Sequence, residues 1–406
     1  MKILYALHGY KPAYKLGGPI QAVSAVAERL VRKGNEVIVF ASNSNLDEDL
    51  DVPTDQCVDV NGVQAWYFKH EEPIQRWLPF MPYLSNSIGF LYAPAMRAAL
   101  DWIVPSVDLV HILNPFIYPT YAAGKAAIRH RKPLFYQQSG ALGSQHLKRR
   151  GLKKKLYIKA IERPLMERAV SLIALTEAEV DSYAALGVHT PCRIIPNGVE
   201  VVSYPESQGT SFGSLDILRH EIVILFMARL HPMKGAHRLI RAFLRIHSRF
   251  PAAKLVMAGP DDSATVEEFR AEIEKAGVSE RILFPGMVTG ELKQQLLTRA
   301  DLFCLPSDAE GFSVAVLEAM AHKTAVLISP DCHFPAVEWA NAGKVISVSV
   351  SDLAQALSSL LVNRAKLREM GKNGYDLVKE QYDWDRIVES LITVYAEGIS
   401  RNNRRS

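Results

Sequence analysis

Read along its length, the chain alternates short apolar runs with segments whose apolar residues recur at helical spacing. Runs at 2–7, 36–41, 63–68, 107–112, 133–137 and 171–175 have the length and composition of buried strands, and helical patterns separate most of them. The first such pattern spans 19–33, with Pro19 suited to a first helical position and Gly34 to a stop. A stretch rich in Pro, Ser and Gly, 196–214, then reads as a linker, and the alternation starts afresh. It predicts strands at 222–228, 254–258, 281–284, 302–305 and 325–329, with helices at 236–250, 265–276 and 291–300 and another before the last strand.

Strand and helix in strict alternation predict a parallel sheet with right-handed crossovers. Two such blocks predict an α/β chain of two doubly wound, Rossmann-like domains, 1–200 and 201–384, facing each other across a cleft. Ligands of such sheets bind beyond the carboxyl ends of the strands, so the cleft is the expected site. A length of 406 residues agrees with two domains.

Composition narrows the class without choosing within it. Apolar content of 48% and charged content of 22% are those of an ordinary globular enzyme. A formal charge of +4 gives no general nucleic-acid footprint. Cys57, Cys192, Cys304 and Cys332 are scattered without a CxxC pair, which argues against a zinc site or a disulfide framework and predicts reduced thiols, half-buried in strands. No apolar run resembles a signal peptide or reaches the roughly 18 residues of a spanning helix, so the expected location is cytoplasmic.

Three constellations carry candidate chemistry. In "PSDAEGFSVAVLEAMA" Glu310 falls in a strand-to-helix loop and Glu318 inside the following helix. Their separation would span roughly 12 Å if helical, beyond the roughly 5 to 9.5 Å of glycosidase carboxylate pairs. The pair instead suits two ends of an elongated, hydroxyl-rich ligand such as a nucleotide-sugar, with its anionic middle over the amides of Gly311, Phe312 and Ser313. A loop acid and an exposed helix acid explain the same spacing. In "ARLHPMKG", Arg229 and Lys234 stand beside another helix start and suit a diphosphate, or form a solvated loop. In "KLGGPIQAV", Gly17 and Gly18 precede the first helix, permitting close approach of phosphate or substrate, or making an ordinary loop; neither a dinucleotide fingerprint nor a P-loop is present.

With "GGPIQAVSAVAERLVRKGNEVIVF", "DLVHIL", "IIPNGVE" and the tail from "REMGKNGYDLV", these motifs resemble the family-4 retaining glycosyltransferases of the GT-B fold, along the length of the chain. The resemblance implies an N-terminal acceptor domain, a C-terminal nucleotide-sugar donor domain, and a last helix from 385 to 406 returning to the first domain. It implies metal-independent, retaining sugar transfer, with no cofactor besides the nucleotide-sugar substrate. Catalysis would fall to Glu310, Arg229 and Lys234. Donor binding would add Gly17, Gly18, Gly311, Phe312, Ser313, Val314 and Glu318, with base contacts from Met287 and Val288 in "FPGMV". Glu310 would meet the sugar, Glu318 the ribose, and Arg229 and Lys234 the diphosphate. On the acceptor side stand His111, Asn114, Ser139 and Gly140. Ser139 occupies the position where many members carry a histidine, and His111 is either a site residue or a structural strand-end histidine.

The acceptor side also has "HLKRRGLKKKLYIKAIERP", in which the cations Lys148 to Lys159 precede the first acid, Glu162, and the apolar segment 74–94. A basic amphipathic helix suits an anionic membrane surface, or is merely a solvated face. With a lipid-contacting reading of 74–94, it points to a peripheral enzyme with a saccharide or lipid-linked saccharide acceptor, in surface polysaccharide assembly. UDP is the expected nucleotide and GDP the second. A nucleotide-sugar 2-epimerase shares the architecture but calls for further acids and histidines at the sugar. A binding protein without turnover predicts loss of Glu310, Arg229 or Lys234, and all three are present.

Overall fold

The computed structural model describes residues 1–46, 48–71, 90–143, 151–201, 215, 217–261 and 263–404. The chain divides into two compact units, one formed by 1–197 with 384–406 and the other by 198–383.

The first unit opens with β1 (Lys2–Leu7), α1 (Gly18–Arg32), β2 (Glu36–Ser42), the short pair β3 (Ser44–Asn45) and β4 (Glu48–Asp49), β5 (Cys57–Val60) and β6 (Val63–Phe68). It continues through α2 (Pro94–Ile103), β7 (Leu109–Leu113), α3 (Tyr118–Arg129), β8 (Leu134–Gln137) and α4 (Gly151–Tyr157). A π-helical turn (Ile158–Glu162), α5 (Arg163–Arg168), β9 (Ser171–Ala174), α6 (Glu177–Ala185) and β10 (Cys192–Ile194) complete this stretch. The eight-stranded sheet has the order β10-β9-β8-β7-β1-β2-β6-β5 and is parallel except for β5 on β6. That antiparallel edge hairpin is absent from the sequence reading, because "CVDVNGV" is short and half-exposed, with little apolar signal.

Strands covered on both faces read as continuous apolar runs, and their side chains still alternate between two cores. Leu4 and Ala6 join the cluster of α2, α3 and Tyr136. Ile3, Tyr5 and Leu7 join the cluster of Ile20, Val23, Ala27 and Leu30 from α1. The same second cluster includes Trp384, Ile387, Val388, Leu391, Val394 and Tyr395 from the last helix, 384–403, which therefore belongs to the first unit.

The second unit carries β11 (Ile222–Met227), α7 (Ala236–Ile246), β12 (Ala253–Ala258), α8 (Thr265–Lys275), β13 (Ile282–Gly286) and α9 (Gly290–Arg299). Then come β14 (Leu302–Leu305), α10 (Val314–Ala321), β15 (Ala325–Ile328), α11 (Ala336–Trp339), β16 (Gly343–Val345), α12 (Val350–Leu361) and α13 (Arg364–Gln381). Its six strands are all parallel, in the order β13-β12-β11-β14-β15-β16. Strand order reverses between β11 and β14, and doubly wound sheets take ligands beyond the carboxyl ends of the strands at such a reversal, which makes this the candidate crevice of the unit. The amino ends hold a separate ion cluster: Asp301 accepts from Arg364 Nε at 2.7 Å, Arg299 Nη1 at 3.1 Å and the Val223 amide at 3.0 Å. That cluster anchors α13 and β14 away from the crevice.

The cysteine expectation needs correcting. Cys304 and Cys332 are fully buried, Cys57 is exposed, and Cys332 lies in a 3-10 turn rather than a strand.

Candidate functional site

Two loops meet at the reversal in the second sheet. One follows β11 and contains Arg229 and Lys234; the other follows β14 and runs from Pro306 to Ser313. Several hydrogen bonds fix their approach: the Asp308 amide to Met233 O (2.8 Å), Ser307 Oγ to Met233 O (3.1 Å), and Arg238 Nη2 to both Pro306 O and Asp308 Oδ1 (2.9 Å each). Gly235 makes the approach possible. Its φ is +76°, and a Cβ there would stand 2.1 Å from Pro306 O.

Within this clamp Lys234 Nζ lies 2.7 Å from Glu310 Oε1 and 3.5 Å from Ala309 O. The side chains are 21% and 12% exposed, so the pair is shielded yet open enough to meet a ligand. An ammonium has three donors, and at least one remains for a phosphate oxygen without releasing Glu310. Upstream, His231 Nδ1 accepts from the Met233 amide at 3.1 Å, which shapes the turn carrying Lys234.

The Glu310 amide donates to Asp331 O (3.2 Å), pinning the loop from the far side. Phe312 is buried, 5.1 Å from the Phe334 ring and stacked at 5.8 Å on Tyr382. This aromatic anchor explains a phenylalanine inside an otherwise small-residue loop. α10 then begins at Val314, and its N-cap, Ser313, makes no side-chain bond to the first turn. The amide-rich start is thus not capped from within by that residue.

The second carboxylate is also paired. Glu318 Oε1 sits 2.6 Å from Lys293 Nζ of α9. Sequence reasoning missed Lys293, because nothing in "TGELKQQLL" marks one lysine of an amphipathic helix as facing another helix. Met287 is exposed and Val288 buried, just after Gly286, which turns the chain at φ +72°.

The first unit holds the other predicted positions. Gly17 has φ +82°, and a Cβ on Gly17 or Gly18 would meet nothing within 4 Å, so the start of α1 is sterically open. Asn114, Ser139 and Gly140 all have positive φ at strand ends. Asn114 Nδ2 lies 2.7 Å from His8 Nδ1, and His8 is itself buried, its pKa lowered to about 4 by loss of solvent. Ser139 Oγ accepts from Gln137 Nε2 (3.2 Å), and the Gly140 amide donates to buried Glu179. Glu179 also accepts from the Leu175 amide at 2.7 Å; burial raises its pKa to about 7 against those two bonds.

His111 does not belong with them. It lies in the core, with Nδ1 2.6 Å from Tyr395 OH, and that hydroxyl is 2.6 Å from Tyr5 OH. Its position in the middle of β7 points the ring into the layer beneath the last helix, and burial lowers its pKa to about 3. Of the Lys148 to Lys159 stretch, 148–150 lie outside the described residues, as do 74–89 of the segment 74–94. Lys154 is buried, its Nζ 5.4 Å from the Phe116 ring centroid, and so drops out of any cationic face. Lys155, Leu156 and Lys159 are exposed.

Among the described residues no group of three or more His, Cys, Asp and Glu could hold a metal ion, and no helix is long and apolar enough to cross a membrane.

This geometry can be set beside known proteins. Residues 208–377 match the family described as glycosyl transferases group 1, and residues 16–202 match glycosyltransferase family 4. The chain is a family-4 glycosyltransferase. The transferase is 25% identical to the D-inositol 3-phosphate glycosyltransferase of Gordonia bronchialis, over 94% of this chain and 84% of that one. A phosphatidyl-myo-inositol mannosyltransferase of Mycobacterium tuberculosis is 30% identical over a shorter match, 58% of this chain and 61% of that one. Among solved structures, the Anabaena HepE protein in complex with UDP and glucose superposes with a TM-score of 0.73, covering 98% of this chain and 100% of that one at 18% identity. The family-4 glycosyltransferase has the GT-B fold.

Proposed function

We propose that this glycosyltransferase moves a hexose from a nucleoside-diphosphate sugar, UDP-glucose being favoured, to a saccharide or lipid-linked saccharide, with retention and without a metal ion. The observation that carries the reading is the Lys234–Glu310 pair at the strand-order reversal, beside the start of α10. Departure of a nucleoside diphosphate develops negative charge on its β-phosphate. Lys234, Arg229 and the amides of Gly311 to Val314 are the groups available to stabilise that charge in place of a cation. Glu310, held by Lys234, accepts hydrogen bonds from sugar hydroxyls, and Glu318 from the ribose.

Complexes of the Anabaena neighbour with UDP support a uridine donor. The lipid-directed name of the mycobacterial relative supports a lipid-linked acceptor in surface polysaccharide synthesis. Exposed Lys155, Leu156 and Lys159 give a small cationic and apolar face suited to anionic headgroups. The test is transfer from a panel of labelled nucleotide-sugars, followed by NMR of the product anomer. Retention of the donor's anomeric configuration, undiminished by EDTA, and sedimentation with anionic vesicles are the expected results. An inverted product, or a requirement for added divalent ion, would overturn the mechanism; transfer without vesicle binding would overturn the membrane placement.

A further inference from the structure

Glu318 sits in α10 beside α9, the helix that follows the turn at Gly286, and these two helices are joined by two polar contacts one turn apart. Lys293 Nζ meets Glu318 Oε1 at 2.6 Å, with side chains 19% and 20% exposed. One turn on, the His322 ring bridges Glu318 O through Nδ1 (2.7 Å) and the Gln294 side-chain amide through Nε2 (2.7 Å). Glu318 is thereby held at both its carboxylate and its carbonyl. The loop acid and the helix acid thus have matching partners: Glu310 is paired with Lys234 and Glu318 with Lys293.

The pairing has a physical purpose if a diphosphate is to bind nearby. A free carboxylate at this depth would repel the incoming dianion and would keep its rotamer freedom until the ligand ordered it. A carboxylate bonded through one oxygen to an ammonium is neutralised and fixed, and still has lone pairs for two hydroxyl donors. We infer that Lys293 is a positioning residue: it neutralises and orients Glu318 so that this carboxylate accepts the ribose hydroxyls of the donor. This rests on the proposed role of the crevice as a nucleotide-sugar site. Lys293 acts through Glu318 rather than on the nucleotide, so its effect has to vanish when the ligand has no hydroxyls for Glu318 to bind.

The test is calorimetric titration of the full chain with UDP and with 2′,3′-dideoxy-UDP, comparing wild type, Lys293→Met, Lys293→Arg, Glu318→Ala and the Met/Ala double variant. Losing one charge-assisted contact corresponds to a roughly tenfold weaker UDP affinity. That loss is expected for Lys293→Met and for Glu318→Ala, with no further loss in the double variant. Dideoxy-UDP should bind wild type and Lys293→Met alike, which also shows that the variant is folded, and Lys293→Arg should recover most of the UDP affinity. Equal loss with both ligands would mean that Lys293 touches diphosphate or base directly, and an unchanged Lys293→Met would mean that it does nothing; either overturns the inference. If Glu318→Ala itself binds UDP like wild type, the reading of the crevice as the ribose site fails instead.

Discussion

Replacing Gly235 by alanine tests whether the two crevice loops depend on a backbone contact that only glycine allows. At φ +76° an alanine carries a left-handed backbone cost of ~1–2 kcal/mol. Its Cβ would also stand 2.1 Å from Pro306 O and 2.9 Å from Pro306 C. These are backbone atoms, so one loop must move, adding ~1–3 kcal/mol of overpacking strain. The sum, ~2–5 kcal/mol, corresponds to a fall of roughly 4–20 °C in Tm for a unit of this size. Gly277 supplies the control. It has φ +66° in the same unit, yet a Cβ there meets nothing within 4 Å, so Gly277→Ala should show the left-handed cost alone. Scanning calorimetry of both variants, resolved for the second unit, reads the difference. The moving loop also carries Lys234 away from Glu310, so Gly235→Ala should lose nucleotide affinity while Gly277→Ala keeps it. Equal Tm shifts in the two variants, or full nucleotide affinity in Gly235→Ala, would refute the steric argument.

Three further outcomes follow from the geometry. Tyr395→Phe removes the hydroxyl that joins Tyr5 and His111 in the first unit's core, leaving two buried polar groups without that partner, and should cost ~1–3 kcal/mol by urea denaturation. Phe312→Ala removes the ring packed between Phe334 and Tyr382 and should cost ~3–5 kcal/mol while also loosening the Glu310 loop, seen as faster amide exchange over 308–313. For pH, buried His8 and His111 have folded pKa values lowered from 6.5 to about 4 and about 3, so they lose stability as pH falls below 6.5. Buried Glu162 and Glu179 have folded values raised from 4.5 to about 7, so their contribution is present below 4.5 and is lost as pH rises to about 7. The two effects oppose each other between about 4.5 and 6.5 and leave the first unit's stability nearly flat there, with a fall below about 4.5. Glu162→Gln removes one carboxyl, so stability should then rise across that window by ~1.4 kcal/mol per pH unit; a Gln variant that stays flat would contradict the assignment.

Much of this fold was legible because buried parallel strands write themselves as apolar runs. Strands such as β1, β6 and β14 begin and end where the runs do, while helix ends drift by a few residues, as with 236–250 against Ala236–Ile246. The segment "RIHSRF" keeps helical composition, but the chain turns there to deliver Arg281's partners His247 O and Phe250 O. The candidate site was legible in part. The cation-bearing loop of Arg229 and Lys234 could be read locally, and so could Glu310 beside a helix start, whereas the close approach at Gly235 emerges only from the fold. Which groups pair could not: Lys234 and Glu310 are 76 residues apart, and Lys293 and Glu318 are joined only because α9 and α10 lie side by side. His111 stayed open between a site role and a structural one for the converse reason. A histidine near the end of a strand reads as exposed chemistry, and only the last helix, bringing Tyr395 over β7, turns it into a core residue.

The most direct test is a calorimetric titration of nucleotide-sugars, UDP-glucose and GDP-mannose first, against wild type, Lys234→Ala and Glu310→Ala. The account predicts that wild type binds one of them and that both variants bind it at least tenfold more weakly, as expected from loss of charge-assisted contacts of ~1.5–3 kcal/mol. Binding that is unchanged in both variants would contradict it.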